Sequence, residues 1–349
     1  MTPPYRVLVV DDSAFMRAAV TRLLASDPRF QVVGQAADGE QAISLARALE
    51  PDLITMDFAM PGVDGAAATR AILAERATPI VMLSAHTRAG ARETLAALAA
   101  GAVDFVTKPD GEVSTHLPAV REELLRKLAD AAGAHVGAPF AVGARSAGPA
   151  PARAPRVERR VAVTVRLVVI AASTGGPAAL ARLIPALAPG RDATVIVVQH
   201  LPAGYTAALA AQLGEHAAFP VREAQPGDEL APGVALVAPG DRHLSLDRDG
   251  RVALRDDPPV HGVRPAADVT LRAAAQRFGP RVVAVVLTGM GQDGALGAAA
   301  VKAAGGRTIA QDRATSTVYG MPRAAVELGA IDEVAPLYRI AEIVNNYLR

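Results

Sequence analysis

The chain has 349 residues, 51% of them hydrophobic and 20% charged, enough for two ordinary domains with cores of their own and too apolar for a disordered protein. With 36 basic against 35 acidic side chains it has no bias towards nucleic acid, and with no cysteine it excludes disulfides, thiolate catalysis and Cys-based zinc sites. Met1-Thr-Pro-Pro-Tyr-Arg6 leads straight into a strand pattern instead of a signal peptide, and no run approaches the roughly 18 apolar residues of a membrane span. The expectation is a soluble, cytoplasmic protein without direct membrane insertion.

Along the first 130 residues, Val7–Val10, Gln31–Val33, Leu53–Met56, Ile80–Leu83 and Val103–Val106 read as five short strands. Alanine-rich amphipathic stretches such as Ala14 to Ala25 and Arg88 to Ala100 separate them. Strands alternating with helices predict a parallel sheet covered on both faces. Residues 131–163, rich in Ala, Gly, Pro and Arg without a period, read as a linker. From 164 to 349 the alternation resumes, with turns at Gln225-Pro-Gly-Asp228, Ala231-Pro-Gly233 and Ala238-Pro-Gly-Asp241.

The strands of the first half end on chemistry-bearing residues: Asp11-Asp12, Asp57, Ser84, and Thr107-Lys108. Three carboxylates meeting at one sheet edge repel unless a cation sits between them, and oxygen ligands that leave room for water and phosphate suit Mg²⁺. Singly, each has a plain reading: Asp11-Asp12 as a cap for the helix starting at Ser13, Lys108 as a solvated charge. Together they resemble a response-regulator receiver domain, which has a flavodoxin-like α/β fold. That resemblance implies phosphorylation at Asp57, Mg²⁺ ligation by Asp11, Asp12 and Asp57, phosphoryl contacts from Ser84 and Lys108, and a switch aromatic at Phe105. Ala59 stands where many relatives carry an acidic or amide side chain beside the acyl phosphate.

In the second half, Leu167–Ile170 runs into Ala171-Ala-Ser173-Thr-Gly-Gly176, Ala193–Val198 into Gln199-His200, and Val282–Leu287 into Thr288-Gly-Met-Gly-Gln-Asp293-Gly294. Loops at the carboxyl ends of parallel strands converge on one crevice, so a hydroxyl, an imidazole and a carboxylate meet there as parts of an acyl-transfer site. The glycines and the helix expected from Pro177 favour a bound oxyanion. Ser173-Thr-Gly-Gly taken alone reads equally as an anion cradle, His200 as a satisfied strand-end histidine, and Asp293 as an N-cap of the helix over 295–304. His135, His243 and His261 compete with His200 for the base, but His135 lies in the linker and the other two in turn-rich segments. His86 and His116 belong to the first half, and His216 follows a helical stretch.

These blocks, with Ala231–Gly240, Arg264-Pro-Ala-Ala-Asp-Val269, Ala310–Ser316 and Tyr319-Gly-Met-Pro322, are similar to the signature blocks of the chemotaxis protein-glutamate methylesterases. The resemblance implies a doubly wound, mainly parallel α/β domain with Ser173 as nucleophile, His200 as base and Asp293 as orienter. It also implies an oxyanion site at the Met290 N–H with Thr174 nearby. The expected activity is hydrolysis of glutamate methyl esters on methylated chemoreceptors, with deamidation of receptor glutamines alongside. No metal is expected for the hydrolysis. A chemotaxis histidine kinase is the implied phosphodonor, and a monomer is expected. Two rivals weigh less: a DNA-binding output lacks a basic recognition helix, and a nucleotide-binding module would leave His200 and Asp293 idle.

Overall fold

The computed structural model describes residues 3–84, 88–108, 117–134, 166–190 and 192–348. The linker reading therefore lies almost wholly outside the described residues, as do His86, His116 and His135.

The first unit contains β1 (Tyr5–Val10), α1 (Ala14–Ala25), β2 (Phe30–Ala36), α2 (Gly39–Leu49), β3 (Leu53–Asp57), α3 (Gly65–Glu75), β4 (Ile80–Ser84), α4 (Arg88–Ala99), β5 (Asp104–Thr107) and α5 (Leu117–Ala132). Its strands lie in the order β2-β1-β3-β4-β5, every neighbour parallel. Helices on both faces require strands apolar on both sides, and β3 and β4 are buried along their whole length. Three helices start on short polar side chains: Ser13, Asp38 and Asp64 accept the amides of Met16, Gln41 and Ala67. The strand order reverses between β1 and β3, so the loops after them diverge and open a crevice above Asp11, Asp12 and Asp57.

The second unit runs through β6 (Arg166–Ala172), α6 (Gly176–Ala186), β7 (Ala193–Gln199), α7 (Tyr205–His216), β8 (Val221–Glu223), β9 (Ala235–Val237), β10 (His243–Leu246) and β11 (Val252–Arg255). It continues with α8 (Ala267–Phe278), β12 (Val282–Val286), α9 (Ala295–Ala303), β13 (Arg307–Gln311), α10 (Met321–Glu327), β14 (Glu333–Ala335) and α11 (Leu337–Tyr347). Seven strands form one parallel sheet, β14-β13-β12-β6-β7-β9-β8, and β10 pairs with β11 as a separate antiparallel hairpin. From β6 the chain winds out through β7 to one edge, then crosses back and winds through β12 to the other. The switch point lies between β6 and β12, the strands ahead of Ser173 and Asp293. Among the described residues no helix is long and apolar enough to cross a membrane.

Helix α4 of the first unit packs on α6 and α7 of the second. Phe105 and Tyr205 stack across this contact with ring centroids 4.8 Å apart, and both are buried. Apolar side chains of the two sheets consequently belong to one continuous cluster. Ile170, wholly buried in β6, sits in that cluster at the centre of the larger sheet. Ile170→Ala should lower unfolding free energy by about 2–5 kcal/mol in urea denaturation, because the surrounding strands cannot close on the cavity.

Candidate active site

Ser173 follows β6 directly and its turn is held from several sides. Its N–H donates to Thr288 O (3.1 Å), and its carbonyl accepts from Gly176 N (2.7 Å) and Gln199 Nε2 (2.9 Å). Thr288 Oγ1 donates to Thr174 O at 2.9 Å. Gly175, at φ 77°, has no room for a side chain, since a Cβ would meet Thr317. Gly289 is equally constrained: a Cβ there would lie 2.8 Å from that of Ser173, so the loop carrying Met290 closes directly over Ser173. The carbonyl of Gly289 accepts the amides of Gly320 and Met321, pinning that loop.

His200 directly follows β7, and its Nε2 lies 2.8 Å from Asp293 Oδ2. This orientation leaves Nδ1 as the ring nitrogen available for proton transfer. Asp293 is buried and does not cap the helix that follows it, whose N-cap is Gly294. Its carboxylate instead receives the opening amides of α8: Ala267 N on Oδ2 (2.6 Å) and Asp268 N on Oδ1 (2.9 Å). It thus fills the N-terminus of a distant helix, whose dipole favours the negative charge. The three strand-end residues of the second half share one crevice. Ser173 Oγ has no hydrogen-bond partner among the described residues. His243 takes no part: it starts β10 and is buried, its ring between Ala266 N and Pro258 O.

The first unit covers this crevice. Val103 O accepts Gly175 N–H at 3.1 Å, and Asp104 Oδ2 accepts a short hydrogen bond from Thr174 Oγ1. Arg126 Nη1 on α5 reaches Met290 Sδ at 3.3 Å. Lys127 holds the other Asp104 oxygen at 3.2 Å, and burial, which would push its ammonium down, is outweighed by Asp104 and Glu123. Neither Asp104 nor Tyr205 emerges from reading the sequence for chemistry. The signal available for Asp104 was an acid inside the apolar run Val103-Asp-Phe-Val106.

At the other crevice, Asp11, Asp12 and Asp57 bring one carboxylate oxygen each within 4.8 Å of one another. Lys108 Nζ bridges Asp11 Oδ2 (2.8 Å) and Asp57 Oδ1 (2.9 Å). Burial raises the Asp57 carboxyl above its ordinary range; Lys108 opposes this, while Asp11 and Asp12 add to it. A buried all-oxygen set short of positive charge fits Mg²⁺, with the exposed Asp12 at its open side. Ser84 lies across the sheet edge, its Oγ 3.1 Å from the Tyr205 hydroxyl.

A family model described as CheB methylesterase matches residues 168–344, and a response regulator receiver domain model matches residues 7–116. The chain belongs to the CheB methylesterase family. A protein-glutamate methylesterase/protein-glutamine glutaminase of Symbiobacterium thermophilum is 48% identical, over 98% of this chain and 96% of its own length. One of Koribacter versatilis is 43% identical over 96% and 94%. The crystal structure of the Thermotoga maritima CheB methylesterase catalytic domain superposes with a TM-score of 0.51 at 43% identity, covering 52% of this chain and 98% of that one.

Within this family member, burial alone would raise the Asp293 carboxyl. The His200 hydrogen bond and charge, with the two α8 amides, outweigh burial and hold it below its ordinary range. A carboxyl depressed by folding contributes stability that is full above its unfolded value and is lost as pH falls through its folded value. Asp293→Asn should therefore cost about 1.5–3 kcal/mol at neutral pH. The gap to the parent should narrow only well below the usual carboxylate range, as followed by urea denaturation across pH.

Proposed function

We propose that the chain is a receiver-controlled protein-glutamate methylesterase that also deamidates glutamine, with a receiver over 1–130, a linker over 131–163 and a catalytic domain over 164–349. Its substrates on this reading are methylated chemoreceptors, reached from the cytoplasm. The observation that carries it is the convergence of Ser173, His200 and Asp293 from β6, β7 and β12, with the imidazole already hydrogen-bonded to the carboxylate.

Ser173 Oγ attacks the ester carbonyl while His200 Nδ1 takes its proton. Nε2–H stays on Asp293, which fixes the tautomer and stabilises the imidazolium. The Met290 N–H and the Thr174 turn face the oxyanion, where one well-placed donor is worth about 10²–10³ in rate. The carbonyl re-forms, the C–O bond breaks, and His200 returns the proton to the departing methanol. Water, deprotonated by His200, then cleaves the acyl-enzyme to release glutamate and restore Ser173. A glutamine amide follows the same course, with ammonia leaving after protonation.

A receiver domain takes its phosphoryl group from a histidine kinase in an Mg²⁺-dependent step. Asp57 is the proposed acceptor, Asp11, Asp12 and Asp57 the Mg²⁺ ligands, and Ser84 and Lys108 the phosphoryl contacts. The ion would screen the carboxylates from the incoming phosphate. Ser84 supports a route from that site to catalysis, because its hydroxyl meets Tyr205 across the interface. Turning towards a phosphoryl group, it would let go of Tyr205 and loosen the seat of Phe105.

Ser173→Ala should abolish methanol release from methylated receptor while leaving receptor binding intact. Mass spectrometry of receptor peptides, with and without a small-molecule phosphodonor, reads both ester and amide turnover. Unchanged turnover in that variant would sink the proposed triad. Asp104→Ala removes the acceptor that holds Thr174, so the unphosphorylated full-length protein should release methanol about tenfold faster, the equivalent of about 1.4 kcal/mol. An unaltered basal rate would mean that Asp104 does not restrain the site.

A further inference from the structure

A second imidazole lies beside the triad. Val260 and Val263 exchange backbone hydrogen bonds (3.1 and 3.0 Å) around a two-residue turn, with φ of 54° at His261 and 77° at Gly262. Left-handed backbone at the first of these positions is uncommon outside Gly, Asn, Asp and His. A histidine held there calls for an account of what its ring does.

Its Nε2 lies 2.9 Å from Asp268 Oδ2, and its Nδ1 lies 3.3 Å from Gln292 Nε2, next to Asp293. With Gln292 donating to Nδ1, the ring is in the tautomer that donates from Nε2 to Asp268. Asp268 is wholly buried. Its Oδ1 accepts Gly297 N from α9 at 2.6 Å, and its own N–H is one of the two amides that hold Asp293. A second cationic partner, Arg272, is half-exposed and 4.0 Å away. One oxygen or nitrogen each of His261, Asp268 and Asp293 lie within 4.8 Å of one another. Two buried carboxylates this close repel, and the His261 N–H joins the Gly297 N–H and Arg272 in steadying Asp268 against that repulsion.

We propose that His261 is a positioning residue for the esterase reaction: by holding Asp268 against α9, it fixes the α8 amides that aim Asp293 at His200. His261 itself touches neither substrate nor reacting atoms. The consequence falls on kcat, because the imidazolium that Asp293 stabilises exists only in the transition state and not in the bound ester. This inference rests on the proposed Ser173–His200–Asp293 triad.

The test uses the phosphodonor-activated full-length protein and a methylated receptor, reading methanol release. Asn tolerates the left-handed turn but its side chain is too short to reach Asp268, so His261→Asn should lower kcat about tenfold with KM within twofold. Misplacement of a catalytic group by an ångström can cost still more. His261→Gln places an amide donor near the position of Nε2 and should recover most of the rate. Asp268→Asn should also lower kcat, and adding His261→Asn to it should cost little more, as for two residues acting through one contact. Wild-type kcat in His261→Asn would overturn the proposal. So would equal losses in the Asn and Gln variants accompanied by a matching fall in melting temperature, which would make the role structural only. Failure of the triad itself is distinguishable: methanol release would then survive Ser173→Ala, whereas failure of this inference leaves that variant dead and His261→Asn active.

Discussion

A nucleophile turn built to receive an oxyanion must point its amides at a place that is vacant between turnovers, and such donors seek a partner. In this protein the receiver supplies one. Val103 O takes the Gly175 N–H and Asp104 takes the Thr174 hydroxyl, so on the proposed function the groups that would receive negative charge also hold the receiver on the turn. The domains are therefore not joined by an arbitrary surface. On the proposed function the receiver acts as a lid, and it suits the crevice because it offers a carbonyl and a carboxylate where negative charge would develop.

Such a lid has to be removable at modest cost. The stacked Phe105–Tyr205 pair supplies apolar area, and Lys127 balances the charge that Asp104 carries into the contact. Ser84 ends β4 beside Asp57, so the Ser84–Tyr205 bond lies at the carboxyl edge of the sheet, whereas Asp104 opens β5 opposite Val81, three residues back from that edge. On the proposed function, a phosphoryl group on Asp57 would reach the domain contact first through Ser84 and Tyr205.

Much of this was legible from strand ends. Long apolar runs such as Leu53–Met56 and Ala193–Val198 admit few structures other than buried parallel strands, and the residue after each run falls at the crevice by topology. The three-residue strands Val221–Glu223, Ala235–Val237 and Glu333–Ala335 are too short to show a period and gave no signal. Asp293 was open to a local reading as a cap for the helix after it, and the fold gave it a distant one. Its carboxylate closes the start of α8, 26 residues earlier in the chain at Ala267, a pairing that no local pattern encodes.

His261 marks the same boundary. A histidine in a Pro- and Gly-rich turn, with no apolar strand ahead of it, resembles a surface residue when read along the chain. Its significance depends on a hairpin turn, the first turn of α8 and the loop before α9 meeting in space. Residues that do chemistry must sit where the backbone is most constrained, and the pattern of the backbone betrays them. Residues that hold those in place are required only to be within reach, and reach is a property of the folded chain. The proposed triad is therefore visible at strand ends, while the contacts proposed to aim it become visible only when α8 and α9 are packed.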